Sequence, residues 1–177
     1  VLHPGDSSAD YQTRTLHYQA QGTVCTNKLD QTEYLGAMLH TNNTGELSAI
    51  GRALTWALEE IQGGRMDGVE EISIVSDSLY SIQMTRGAWK AKTNKVLIRK
   101  LKALRKQIEA TIPVRLCWTK AHTKEESAEA FWNAKVDQMA KDGAKSLLMR
   151  VVEESGLVLG AVGGDDEEDD RRRGVIV

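Results

Sequence analysis

Residues 41–80 read TNNTGELSAIGRALTWALEEIQGGRMDGVEEISIVSDSLY, and the reading of this stretch decides the fold. Leu47, Ile50, Leu54, Ala57, Leu58 and Ile61 recur at steps of three and four residues, the spacing of one face of a helix. Asn43 followed by Glu46 has the form of a capping box, and Gly63-Gly64 supplies the stop. Beyond a polar linker, Ile72-Ser73-Ile74-Val75 is short, apolar and rich in β-branched side chains, which suits a buried strand. Asp77 then stands where side chains of α/β proteins leave the sheet edge and enter a crevice.

Working outward, Leu97, Leu101, Leu104 and Ile108 repeat at helical spacing until Pro113. Val114 to Thr119 alternates like a strand, with Val114, Leu116 and Trp118 expected on one face. A loop from Lys120 to about Ala130 follows. A last helix is expected from about Phe131 to Val152, burying Phe131, Ala134, Met139 and Ala140. Towards the start, Thr23 to Thr26 and Tyr34 to Leu39 read as strands around a turn at Asn27 to Gln31. Strands first, then helix, strand, helix, strand and helix, imply a mixed sheet flanked by helices.

The chain has 177 residues, 41% of them hydrophobic, enough for one core and short for two. One domain is expected over 1–153. The tail, 154–177, holds Gly163-Gly164, the acids Asp165 to Asp170 and Arg171 to Arg173, a composition break that predicts solvated, disordered chain. Leu157 to Val162 leaves open whether part of the tail packs back. A net charge of −2 excludes a global field towards nucleic acid or an anionic membrane, so any such affinity must be local. Cys25 and Cys117 are too few for a disulfide scaffold and lack metal-ligand spacing, so two reduced, half-buried thiols in an intracellular protein are expected. No apolar run approaches the roughly 20 residues of a membrane span, and no secretion signal opens the chain; the cytoplasm or nucleus is the expected location. Val1 in place of Met admits an internal start within a longer polyprotein.

Four acids stand out: Asp6 in a polar turn, Glu46 in the first helix, Asp77 at a strand end and Asp137 early in the last helix. Each has an ordinary explanation as a cap, a turn residue or an acid near a helix N-terminus. Their surroundings change that. Thr41-Asn42-Asn43-Thr44-Gly45-Glu46-Leu47 resembles the segment that opens the first long helix of type-1 ribonucleases H. Ser76-Asp77-Ser78-Leu79-Tyr80 looks like that family's second signature, and Trp118-Thr119-Lys120-Ala121-His122-Thr123 like its histidine loop. Asn133, Asp137, Ala140 and Gly143 resemble its final helix, and Gly5-Asp6-Ser7-Ser8-Ala9-Asp10 an altered Asp-Gly-Ser turn. Five motifs in order, over roughly residues 6 to 145, carry the resemblance.

The resemblance implies an α/β, ribonuclease H-like fold with a mixed five-stranded sheet flanked by helices. It implies an endonuclease that hydrolyses the RNA strand of RNA/DNA hybrids with two Mg²⁺ ions, Mn²⁺ serving as a substitute. Oxygen ligands suit such hard cations, and crowded carboxylates repel one another until cations neutralise them. Asp6, Glu46, Asp77 and Asp137 would be the ligands, and His122 would shuttle protons or assist product release. The other histidines, His3, His17 and His40, have no such context.

The hybrid needs cations. Between Asp77 and Glu109 the chain has no acid, yet it holds Arg86, Lys90, Lys92, Lys95, Arg99, Lys100, Lys102, Arg105 and Lys106. Solvated helix faces usually mix both signs, so a phosphate-binding stretch is the better account. Lys90, Lys92 and Lys95, with Trp89 among them, are the substrate-binding candidates, and by resemblance Trp89 lies along the DNA strand. Asn42 and Asn43 are placed to read bases or 2′-hydroxyls, and Thr41 to touch a DNA phosphate. Trp56, Trp118 and Trp132 are read as structural.

Several departures bear on activity. Only Val1-Leu2-His3-Pro4-Gly5 precedes Asp6, and Pro4 cannot donate to a central ladder, so the first strand is expected to be truncated or absent. Ser7 replaces a glycine, Leu79 stands where a polar substrate contact is usual, and the glycine-rich second strand is reduced to Gly22. Three alternatives follow: a degenerate ribonuclease H-like binding module, an exonuclease of the same broad superfamily, and a fragment of a retroelement polyprotein.

Overall fold

A computed structural model describes residues 22–120, 131–132, 134–143, 145 and 175–176. In chain order the elements are α1 (Asn42–Gln62), β1 (Ile72–Ser76), α2 (Leu79–Arg86), α3 (Lys95–Glu109), β2 (Val114–Trp118), a helical stretch at 131–132, 134–143 and 145, and β3 (Val175–Ile176).

The strands form one sheet in the order β2-β1-β3. β1 and β2 run parallel, with Ile72 opposite Val114 and Ser76 opposite Trp118. A parallel pair needs a crossover, and α2 with α3 provides it. The two-residue β3 pairs antiparallel with the end of β1, Val75 against Ile176 and Ser76 against Val175. The tail therefore returns to the sheet at these two residues. Three strands are present among the described residues, so the expected set of five is not seen there.

The cap of helix α1 falls two residues earlier than the sequence suggests, because Thr41 and Thr44 rather than Asn43 and Glu46 form the box. Thr44 N–H donates to Thr41 Oγ1 at 3.3 Å, and Thr41 N–H donates to Thr44 Oγ1 at 2.7 Å. Both ends of the box are thus closed by short hydroxyl side chains, and Glu46 lies too far into the helix to take part. Helix α2, which the hydrophobic spacing did not announce, is opened by Ser78, whose Oγ accepts from Ser81 N–H at 3.2 Å. Gly87 closes it at φ 85°.

The core lies where α1 and α3 pack on each other, with buried side chains of β1 and β2 in the same cluster. Leu47, Ile50, Leu54, Ile74, Leu97, Leu101 and Ile108 are fully buried, each contributing about 1.5–3 kcal/mol by leaving water. Apart from Ile74 in β1, these are positions the three- and four-residue spacing selects. Before α1, the chain crosses the N-terminal end of α3 at Gly36, which has φ 110°. A Cβ there would stand 2.8 Å from the backbone nitrogen of Leu97.

Three expectations are corrected. Residues 23–26 and 34–39 form no strand, although the turn expected between them is present: Asn27 Oδ1 accepts from Leu29 N–H at 3.0 Å and Asp30 Oδ1 from Glu33 N–H at 2.8 Å. Met38 and Leu39 are exposed. Trp118, on the side of β2 that carries Val114 and Leu116, stands at the strand end and is 49% exposed. In the last helical stretch, Ala134 faces outward, whereas Phe131, Met139 and Ala140 are half-buried. The cap of α1 is the third.

Cys25 and Cys117 are free and half-buried, as their number and spacing imply. No described helix is long and apolar enough to cross a membrane. At the far end of α1, Arg65 donates to both carboxylate oxygens of Glu60 and holds its carboxyl below the usual range.

Candidate active site

Because β1 and β2 are parallel and in register, both end at one edge of the sheet, and Asp77 follows at once. Three hydrogen bonds fix the backbone there. Thr119 N–H donates to Ser76 C=O at 3.0 Å, Trp118 Nε1–H donates to Asp77 C=O at 3.0 Å, and Ser78 N–H donates to Ser76 Oγ at 3.1 Å. Both carboxylate oxygens of Asp77 are enclosed by the protein.

Glu46 approaches the same edge from α1. It is 8% exposed, and a carboxylate removed from water needs polar company. Part of that company is Ser81 in the first turn of α2, whose Oγ donates to Glu46 Oε2 at 3.3 Å. Ser78 Oγ in turn donates to Ser81 Oγ at 3.0 Å. A line of buried hydroxyls therefore joins the carboxylate of Glu46 to the residue next to Asp77. Asp137, in the helical stretch 134–143, is also buried, at 6% exposure. Asp6 and His122 lie outside the described residues.

Carboxylate oxygens are the donors that Mg²⁺ and Mn²⁺ prefer, and three of the four predicted acids are buried or have enclosed oxygens, so their chemistry fits such a cation. Among the described residues, no group of three or more histidine, cysteine, aspartate or glutamate side chains is disposed to hold one.

The cationic stretch divides into two parts. Arg86 donates to Leu116 C=O, and Arg105 pairs with Glu109 and also reaches Arg86 C=O, so these two guanidinium groups support the fold. Lys90, Lys92, Lys95, Arg99, Lys100, Lys102 and Lys106 are exposed. Trp89, 45% exposed, stands just past Gly87 at the head of this surface. Asn42 and Asn43 are exposed in the first turn of α1, while the Thr41 hydroxyl is engaged in the cap. Trp132 packs edge-on against Phe131, with Lys135 Nζ 5.0 Å from its ring centroid.

The sequence reading missed Ser78, Ser81 and the indole of Trp118. A serine pair spaced as a helix cap was the available signal for the first two. Contact between Trp118 and Asp77 follows only from the parallel register.

Fold and site together define an α/β protein with acidic side chains drawn to the carboxyl edge of a small parallel sheet. The RNase H family model matches residues 6–145, and the chain belongs to the ribonuclease H family. No curated protein and no solved structure matches the chain.

Proposed function

We propose that this chain is an endonuclease that hydrolyses the RNA strand of RNA/DNA hybrids, with Asp6, Glu46, Asp77 and Asp137 holding two Mg²⁺ ions or, in their place, Mn²⁺. The observation that carries the reading is the Ser81–Glu46 hydrogen bond, which draws a buried acid of α1 to the loop that bears Asp77. Family membership supports the same reaction class. Bound there, the ions would activate a water and stabilise the departing 3′ oxygen. The family's five-stranded sheet belongs to this reading.

The chain's own groups have separable tasks. Ser78 and Ser81 orient Glu46, and the hydrogen bonds at the ends of β1 and β2 hold the backbone of Asp77. His122 carries a proton to or from the reacting phosphate. Lys90, Lys92 and Lys95 grip the DNA strand beside Trp89, while Asn42 and Asn43 meet the RNA across the minor groove, where the 2′-hydroxyls lie. Thr41 contributes at a DNA phosphate.

A second reading, a binding module that has lost cleavage, draws on the lack of a metal-holding group among the described residues. Internally labelled RNA in a hybrid separates the two: internal products support the nuclease, and retained binding without products supports the module. Products released only from an end would instead indicate an exonuclease.

A further inference from the structure

We infer that Trp118 is a positioning residue for Asp77, acting through the hydrogen bond from its indole N–H to the Asp77 carbonyl; this rests on the metal-dependent reading above. An exposed tryptophan at the end of a strand has little to gain from burial. Trp118 nevertheless spends its single side-chain donor on a backbone carbonyl 41 residues earlier in the chain, at 3.0 Å. That carbonyl belongs to the residue just past the last pair of the β1–β2 ladder, Ser76 opposite Trp118. Beyond it no strand partner from β2 fixes the chain. Thr119 N–H secures Ser76, one residue short of the acid, and Ser78 N–H closes back on Ser76 Oγ. The indole is the one of these groups that grips Asp77 itself.

Where the Cβ of Asp77 stands is set by this backbone, and a ligand or catalytic group must be held within about 0.5 Å of its working position. Removing the indole N–H while keeping an aromatic ring loosens the carbonyl without emptying the strand end. Groups that orient a ligand from behind typically change metal affinity by 10–100-fold when lost. Because Trp118 acts through the backbone rather than on the carboxylate, the lower end, about tenfold, is expected.

The test is a Mn²⁺ titration of the full chain without nucleic acid, followed by calorimetry, for the native protein, Trp118→Phe and Asp77→Asn, with urea unfolding of each. The inference requires that Asp77→Asn removes the tighter binding and that Trp118→Phe weakens it about tenfold while its unfolding midpoint stays near that of the native chain. Loss of binding in Asp77→Asn with native affinity in Trp118→Phe would overturn the inference and leave the proposed function standing. Weaker binding in Trp118→Phe that comes with a collapsed unfolding transition would make Trp118 a support of the fold and would also overturn it. Native Mn²⁺ affinity in Asp77→Asn would remove the metal reading itself, and the role of Trp118 with it.

Discussion

Ser81 donates its hydroxyl to the carboxylate of Glu46 across 35 residues of chain, at 3.3 Å, in a place where both side chains are buried. A charged acceptor withdrawn from water depends on such donors, and their loss costs about 1–3 kcal/mol. Ser81→Ala is therefore expected to lower unfolding stability by an amount in that range, read from urea denaturation. Its effect on hybrid cleavage is expected to exceed what the stability change explains, because Glu46 loses its link to the Asp77 loop. Native stability and native cleavage in this variant would mean that the contact is incidental.

The exposed lysines are assigned to phosphates. Replacing Lys90, Lys92 and Lys95 with alanine together is expected to weaken hybrid binding and to flatten its dependence on salt. Each lost phosphate contact lowers the slope of log affinity against log salt by about 0.7–0.9. Binding measured over a series of salt concentrations checks this. The unfolding free energy should change by no more than about 0.5 kcal/mol per site, since all three side chains are exposed.

Gly36 couples the segment before α1 to the start of α3. Its φ of 110° and the 2.8 Å approach of an added Cβ to Leu97 N predict that Gly36→Ala destabilises by about 1–3 kcal/mol from backbone strain, with steric displacement added. Gly64 also has a positive φ, 68°, but open space around it, so Gly64→Ala should cost less. Thermal unfolding of the pair of variants gives the comparison, and equal losses would count against the close approach at Leu97.

Much of this architecture was legible in the sequence, and the parts that were not have physical causes. Leu47, Ile50 and Leu54, and Leu97, Leu101 and Leu104, announce α1 and α3 because each helix buries one continuous face. β1 was legible through Ile72, Ile74 and Val75, which are buried on its two faces. Helix α2 was hidden because its buried side chains include Ser81 and Thr85, so polar residues interrupt the apolar signal. Thr23–Thr26 and Tyr34–Leu39 have strand-like composition but form no strand, although Asn27 and Asp30 make the turn expected between them. Of the candidate site, Glu46, Asp77 and Asp137 were singled out through motifs; Glu46 and Asp137 are buried, and the carboxylate oxygens of Asp77 are enclosed. Their supports, Ser81 and Trp118, reach across 35 and 41 residues, a relation that local pattern does not contain.

The account depends most on Asp77. The most direct measurement is cleavage of an RNA/DNA hybrid, internally labelled on its RNA strand, in Mg²⁺ and then Mn²⁺, by the native chain and by Asp77→Asn. The account predicts internal cutting of the RNA by the native chain and a loss of at least about a hundredfold in the variant, since a metal ligand is removed while the fold is kept. Cutting by Asp77→Asn at the native rate, or no cutting by the native chain in either metal despite hybrid binding, would contradict it.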